Sequence, residues 1–185
     1  QDKKHKRDGL NDSEVQRVIE RLDDIGTGNK ATRLRGIFCL LALQGLRQVE
    51  ITRLDVKDVD LVAKRAFILG KGRDDKEAVD LHPQTVEAIR RYMKAYKVKD
   101  GALFTSASNN HVRGRLTTRA VRGMVKELLT GLGIDKTTHG FRHYFTTTLV
   151  KQFKGNLLEV SQYTRHHSLE MLQVYYDRVK KEADL

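Results

Sequence analysis

The stretch DVDLVAKRAFILGKGRDDKEAVDL (residues 58–81) decides the fold, because helical spacing gives way within it. Val59 and Leu61, then Ala66-Phe67-Ile68-Leu69, then Ala78 to Leu81 are short strand-like runs, and Gly70-Lys71-Gly72-Arg73-Asp74-Asp75 separates the last two. They predict a small antiparallel sheet. On either side of it the spacing is helical. Asn11 followed by Glu14 makes a capping box, after which Val15, Val18, Ile19 and Leu22 share one helical face. Residues Lys30 to Gln44 are apolar nearly all round at their centre and stop near Gly45, as a core helix does, and Arg47 to Leu54 forms a short third helix. Beyond Pro83, the residues Val86, Ile89, Met93 and Tyr96 restore the helical period, and helices fill the remainder. The reading is mainly α with a small antiparallel β-sheet inserted, an α+β chain. Residues 1–9 are expected to be a basic arm or linker remnant, and residues 10–185 one domain.

The chain has 185 residues, enough for a core of its own without disulfides or metals. Its single cysteine, Cys39, lies in the apolar run Ile37 to Leu43 and reads as a buried, inert thiol in a reducing cytoplasmic setting. That run is far shorter than the roughly 18 residues a membrane span requires, so no membrane partner is expected. Lysine and arginine total 35 against 24 acidic residues, a formal charge of +11, which fits a phosphate-rich partner.

The arrangement of charge narrows that partner. A helix is expected from about Arg115 to Leu132, with Val121, Met124, Val125, Leu128 and Leu132 facing inward. Arg115, Arg119, Arg122 and Lys126 fall at helical offsets, and no acid occurs from Arg113 through Lys126. A stripe of one sign repels itself unless an anion lies against it, so these four are assigned to the DNA backbone.

Cleaving a phosphodiester without a metal needs a nucleophile, cations on the non-bridging oxygens and an acid for the departing 5′ oxygen. Gly45-Leu46-Arg47-Gln48-Val49-Glu50, Gly70-Lys71-Gly72, His139-Gly140-Phe141-Arg142 and His166 leading to Tyr175 supply them in order, the tyrosine nine residues beyond the histidine. In this the chain resembles the catalytic domain of the tyrosine recombinase, or phage integrase, family across residues 10 to 180. The resemblance implies a recombinase or integrase that cuts and rejoins DNA through a 3′-phosphotyrosyl link, without metal, ATP or other cofactor. Arg47 and Arg142 match the two family arginines, whose planar guanidinium suits two phosphoryl oxygens. Lys71 matches the general acid on the hairpin, His139 and His166 the two histidines, and Tyr175 the nucleophile. Double-stranded DNA is the implied partner, with a homotetramer on DNA in the full-length protein and an upstream DNA-clamping domain outside this chain.

Neighbouring residues compete for these roles. Arg73 and Lys76 rival Lys71, His167 sits beside His166, and Tyr176 beside Tyr175. His139 and His143 have metal-pair spacing, but Gly140 stands where a metalloprotease motif needs glutamate. Thr164-Arg165 and Phe141 depart from the usual family residues without removing a reacting group. Three other functions share parts of the pattern. A type IB topoisomerase would reseal its original ends, a silent DNA-binding protein would keep only the scaffold, and a metal nuclease would use Asp55, Asp58 and Asp60.

Overall fold

The structure is a computed structural model and describes residues 9–70, 75–106, 114–154 and 156–164. The described residues form helices α1 (Asp12–Asp24), α2 (Asn29–Ala42) and α3 (Gln48–Arg53), and a 3₁₀ turn at Val56–Asp58. Strands β1 (Val59–Asp60), β2 (Arg65–Leu69) and β3 (Lys76–Asp80) follow, then α4 (Pro83–Tyr96), α5 (Thr118–Gly131), α6 (Thr138–Gln152) and α7 (Leu157–Thr164). The expected mainly helical chain with one small antiparallel sheet is what forms.

The helix limits have local causes. The Asn11 side chain accepts from Glu14 N at 2.8 Å while the Glu14 carboxylate accepts from Asn11 N at 3.0 Å, which is the capping box read from sequence. Pro83 opens α4 where its missing N–H removes no bond, and the His82 ring accepts from Gln84 N. The largest difference from expectation is at α5. Thr117 caps it, its hydroxyl accepting from Ala120 N at 3.1 Å, so the helix starts three residues after Arg115. Its buried line is Val121, Val125 and Leu129, flanked by Met124 and Leu128.

The sheet has the order β1-β2-β3, antiparallel throughout, with Leu69 opposite Lys76 at the foot of the β2–β3 turn. Helix α2 runs through the middle of the molecule and packs on α4 and α6. Ile37 through Ala42 are buried in succession, and Phe38 meets Phe141 of α6 edge to face at 5.7 Å. Cys39 is buried here, and burial raises its thiol pKa to about 11, as an inert core thiol requires. Tyr92 stacks on Phe104, donates to Leu103 O and accepts from Thr105 N, so a polar tip is satisfied inside the core. Each fully buried side chain of this kind stabilises the fold by roughly 1.5–3 kcal/mol. No helix among the described residues is long and apolar enough to cross a membrane.

Candidate active site

The site begins where α2 stops. Gly45 has φ +66°, and a Cβ there would lie 2.1 Å from a ring carbon of Phe145, so both conformation and space demand glycine. The turn drives Leu46 into the core with no exposure, its N–H on Leu40 O at 2.9 Å, and leaves Arg47 extended as the N-cap of α3. The carboxylate of Glu50 then holds Arg47 from two sides. One oxygen accepts from Arg47 N at 2.8 Å and the other lies 3.8 Å from its guanidinium. Glu50 is sealed from water whereas the Arg47 side chain is 42% exposed, so the anion is the fixed partner and the cation the presented one.

Helix α6 brings the second arginine. Thr137 occupies its N-cap without a side-chain capping bond, while Thr138 donates to Gln48 of α3 at 3.0 Å and joins the two helix starts. One turn on, Arg142 is buried, at 4% exposure, and donates to Gly45 O and, at 2.8 Å, to Thr164 O. It thus binds the turn before Arg47 and the last residue of α7 to one guanidinium. His139 lies in the first turn of α6. Partial loss of water around its ring, then the positive charges of Arg142 and Arg47, hold its pKa below the ordinary 6.5. Its ring meets that of His143 at 4.5 Å.

Arg47, Arg142 and His139, together with Arg53, Arg122 and Gln48, line one open cleft of about 450 Å³, and none of its described lining residues is acidic. The first turns of α5 and α6 reach it through Thr118 and Thr138, adding the positive ends of two helices to the side-chain cations. Such a pocket suits an anion with several oxygens. Among the described residues the carboxylate nearest to Arg47 is the one that orients it.

The structure therefore unites three of the predicted site residues, Arg47, His139 and Arg142. Lys71, His166 and Tyr175, with the rivals Arg73, His167 and Tyr176, lie outside the described residues. Lys76 has another occupation, since its ammonium pairs with the buried Asp58. Of the basic stripe, Arg119, Arg122 and Lys126 are exposed on α5 and form no ion pair with a described residue. Arg115 departs from it. It sits before the helix, and its guanidinium donates to Thr52 O at 2.9 Å and to Asp55 at 2.5 Å. Asp55 and Asp58 are thus each paired with a cation, and Asp60 accepts from Ala63 N. Arg53, Gln48 and Thr138 were not singled out by sequence. Their roles depend on partners far along the chain, and only the clustering of Arg47 and Arg53 on one short helix hints at the first.

The stripe makes a prediction. Arg119→Ala and Arg122→Ala are each expected to weaken DNA binding and to flatten the plot of log affinity against log salt by about 0.9 for each phosphate left without its cation. Fluorescence anisotropy over a salt series reads this, and an unchanged slope removes α5 from the interface.

Comparison with known proteins gives the family. The model of the phage integrase family matches residues 9–182. A tyrosine recombinase of Synechocystis sp. is 28% identical over 152 residues, covering 80% of this chain and 49% of the relative. The crystal structure of XerA recombinase superposes with a TM-score of 0.75 at 26% identity, over 95% of this chain and 63% of that one. XerH site-specific recombinase bound to difH substrate in a pre-cleavage complex gives 0.74 at 25% identity, over 96% and 52%. The chain spans about half the length of the curated relatives it matches.

Proposed function

We propose, on the premise that this chain belongs to the phage integrase family, that it cuts and rejoins DNA strands as the catalytic part of a site-specific recombinase. The observation that supports this best is the cleft, without an acid among its described lining residues, that Arg47 at the start of α3 and Arg142 of α6 share with a histidine whose pKa is held below its ordinary value.

In the proposed reaction the scissile phosphate occupies this cleft. Arg47 and Arg142 bind its two non-bridging oxygens and hold them more tightly as charge grows in the five-coordinate transition state. Tyr175 Oη attacks phosphorus and a P–O bond to tyrosine forms as the P–O5′ bond breaks. The tyrosine proton passes to a histidine, His139 or His166, and Lys71 gives a proton to the departing 5′ oxygen. The product is a 3′-phosphotyrosyl link and a free 5′ hydroxyl. Because the link keeps the phosphodiester bond energy, a 5′ hydroxyl from another strand reverses the step without ATP. Double-stranded DNA is the partner, read through its backbone at α5. Exchange between two duplexes requires four cleavages, which corresponds to a homotetramer of the whole protein, acting in the cytoplasm. Substrates carrying two sites test the reading. Exchanged products support recombination, relaxed plasmid alone indicates a topoisomerase, and cleavage abolished by EDTA indicates a metal nuclease.

The histidine carries a pH prediction. With its folded pKa depressed, His139 takes up a proton at lower pH than it does in the unfolded chain, so the unfolded state binds more protons in that window. Stability is therefore expected to fall as pH drops below 6.5 through the lower folded value. An NMR titration should place the His139 midpoint under 6.5 and move it up in Arg47→Gln, whose charge helps to depress it. A midpoint above 6.5 contradicts a neutral proton acceptor.

A further inference from the structure

Arg53, the last residue of α3, stands in the cleft wall and has a second attachment. Its guanidinium donates to Gly70 O at 2.9 Å. Gly70 is buried and ends the β2 side of the hairpin, so its carbonyl needs a donor, and Lys71 is the next residue in the chain. The returning side of the same hairpin is tied as well. Lys76, opposite Leu69, pairs with Asp58, which is 5% exposed and whose other oxygen accepts from Asp55 N at 2.9 Å. One foot of the turn is thus fastened to the end of α3 and the other to the 3₁₀ turn that follows it. Helix α3 has six residues, a rigid spacer of about 9 Å with Arg47 at its start and the tie to the hairpin at its end.

We infer that Arg53 is a positioning residue for the leaving-group proton: it holds Gly70, the residue before Lys71, to the end of the helix that begins at Arg47. This rests on the proposed role of Lys71 as general acid. Arg53 transfers no proton in this scheme. Its guanidinium suits the task because it stays charged and reaches from α3 to the sheet with a planar, directional donor.

The experiment compares two nicked DNA substrates in the intact protein, one with the ordinary 5′ oxygen at the scissile phosphate and one with sulfur in that bridging position. With sulfur, the bond from Tyr175 Oη to phosphorus forms and the P–S bond breaks, and the thiolate departs without a proton because a thiol's pKa is only about 8.5. Arg53→Ala is expected to slow cleavage of the oxygen substrate about 10- to 100-fold, the size of a small misplacement of a reacting group, and to cleave the sulfur substrate within about threefold of wild type. Arg53→Lys, which keeps a donor of similar reach, should recover most of the oxygen rate and covers the case in which the alanine variant does not fold. An equal loss on both substrates, or no loss on either, overturns the inference. Lys71→Ala runs in parallel. If sulfur rescues Lys71→Ala but not Arg53→Ala, the role of Arg53 fails alone, whereas failure to rescue Lys71→Ala removes the acid role itself.

Discussion

Tyr175→Phe is expected to form no covalent protein–DNA adduct on a nicked suicide substrate, while Tyr176→Phe forms it at a rate within about threefold of wild type. A free tyrosine hydroxyl has a pKa of about 10, so in the proposed reaction its attack depends on cations at the phosphate and on a proton acceptor, and it is Tyr175 that stands nine residues beyond His166 in the sequence. Removing the hydroxyl leaves the cleft cations to bind DNA, so binding should persist as chemistry disappears. Denaturing gels of radiolabelled substrate read the adduct and anisotropy reads binding. An adduct in Tyr175→Phe that is lost in Tyr176→Phe transfers the role to the neighbour, and an adduct in both rejects tyrosine attack.

Arg142→Ala is expected to damage stability and activity together. The side chain is buried and donates to Gly45 O and Thr164 O, so truncation leaves two acceptors without these donors and a cavity where the guanidinium lay. Leaving a buried acceptor without its donor costs about 1–3 kcal/mol for each, a large part of the 5–15 kcal/mol of a typical domain when two are lost. Strand cleavage should fall at least about 10²–10³-fold, the scale of losing one preorganised donor to a transition state. Arg142→Lys separates the two effects. It keeps the charge but not the fork, so it should recover more of the stability than of the rate, as urea unfolding and cleavage kinetics will show. Full recovery of both by lysine contradicts a bidentate role.

Much of this was legible in the sequence because it depends on neighbours along the chain. The capping box of α1, the all-apolar centre of α2 and the strand runs after Asp58 are local patterns, and each forms, although the last strand starts two residues before the Ala78 read for it and stops at Asp80. Arg47 and Arg142 were found through short motifs, yet their meeting is a product of α2 packing on α6 and of the turn at Gly45. Arg115 misled for a physical reason. Its offset of four from Arg119 imitates a helical turn, but Leu116 and Thr117 are the approach to a cap, and Arg115 pairs in an isolated bridge with Thr105. Arg53 was invisible because its partner is a backbone carbonyl, which carries no side-chain signal.

The order of the sheet bears on how the protein behaves when crowded. Among the described residues strand β3 forms one border of that sheet, and a border strand is where an approaching extended chain could pair. Lys76, Glu77 and Asp80 put charge at three of its five positions. A strand added there would have to take these charged side chains out of water, a cost that an uncharged border would not impose. The border strand thus carries its own guard against fusion of one sheet with another.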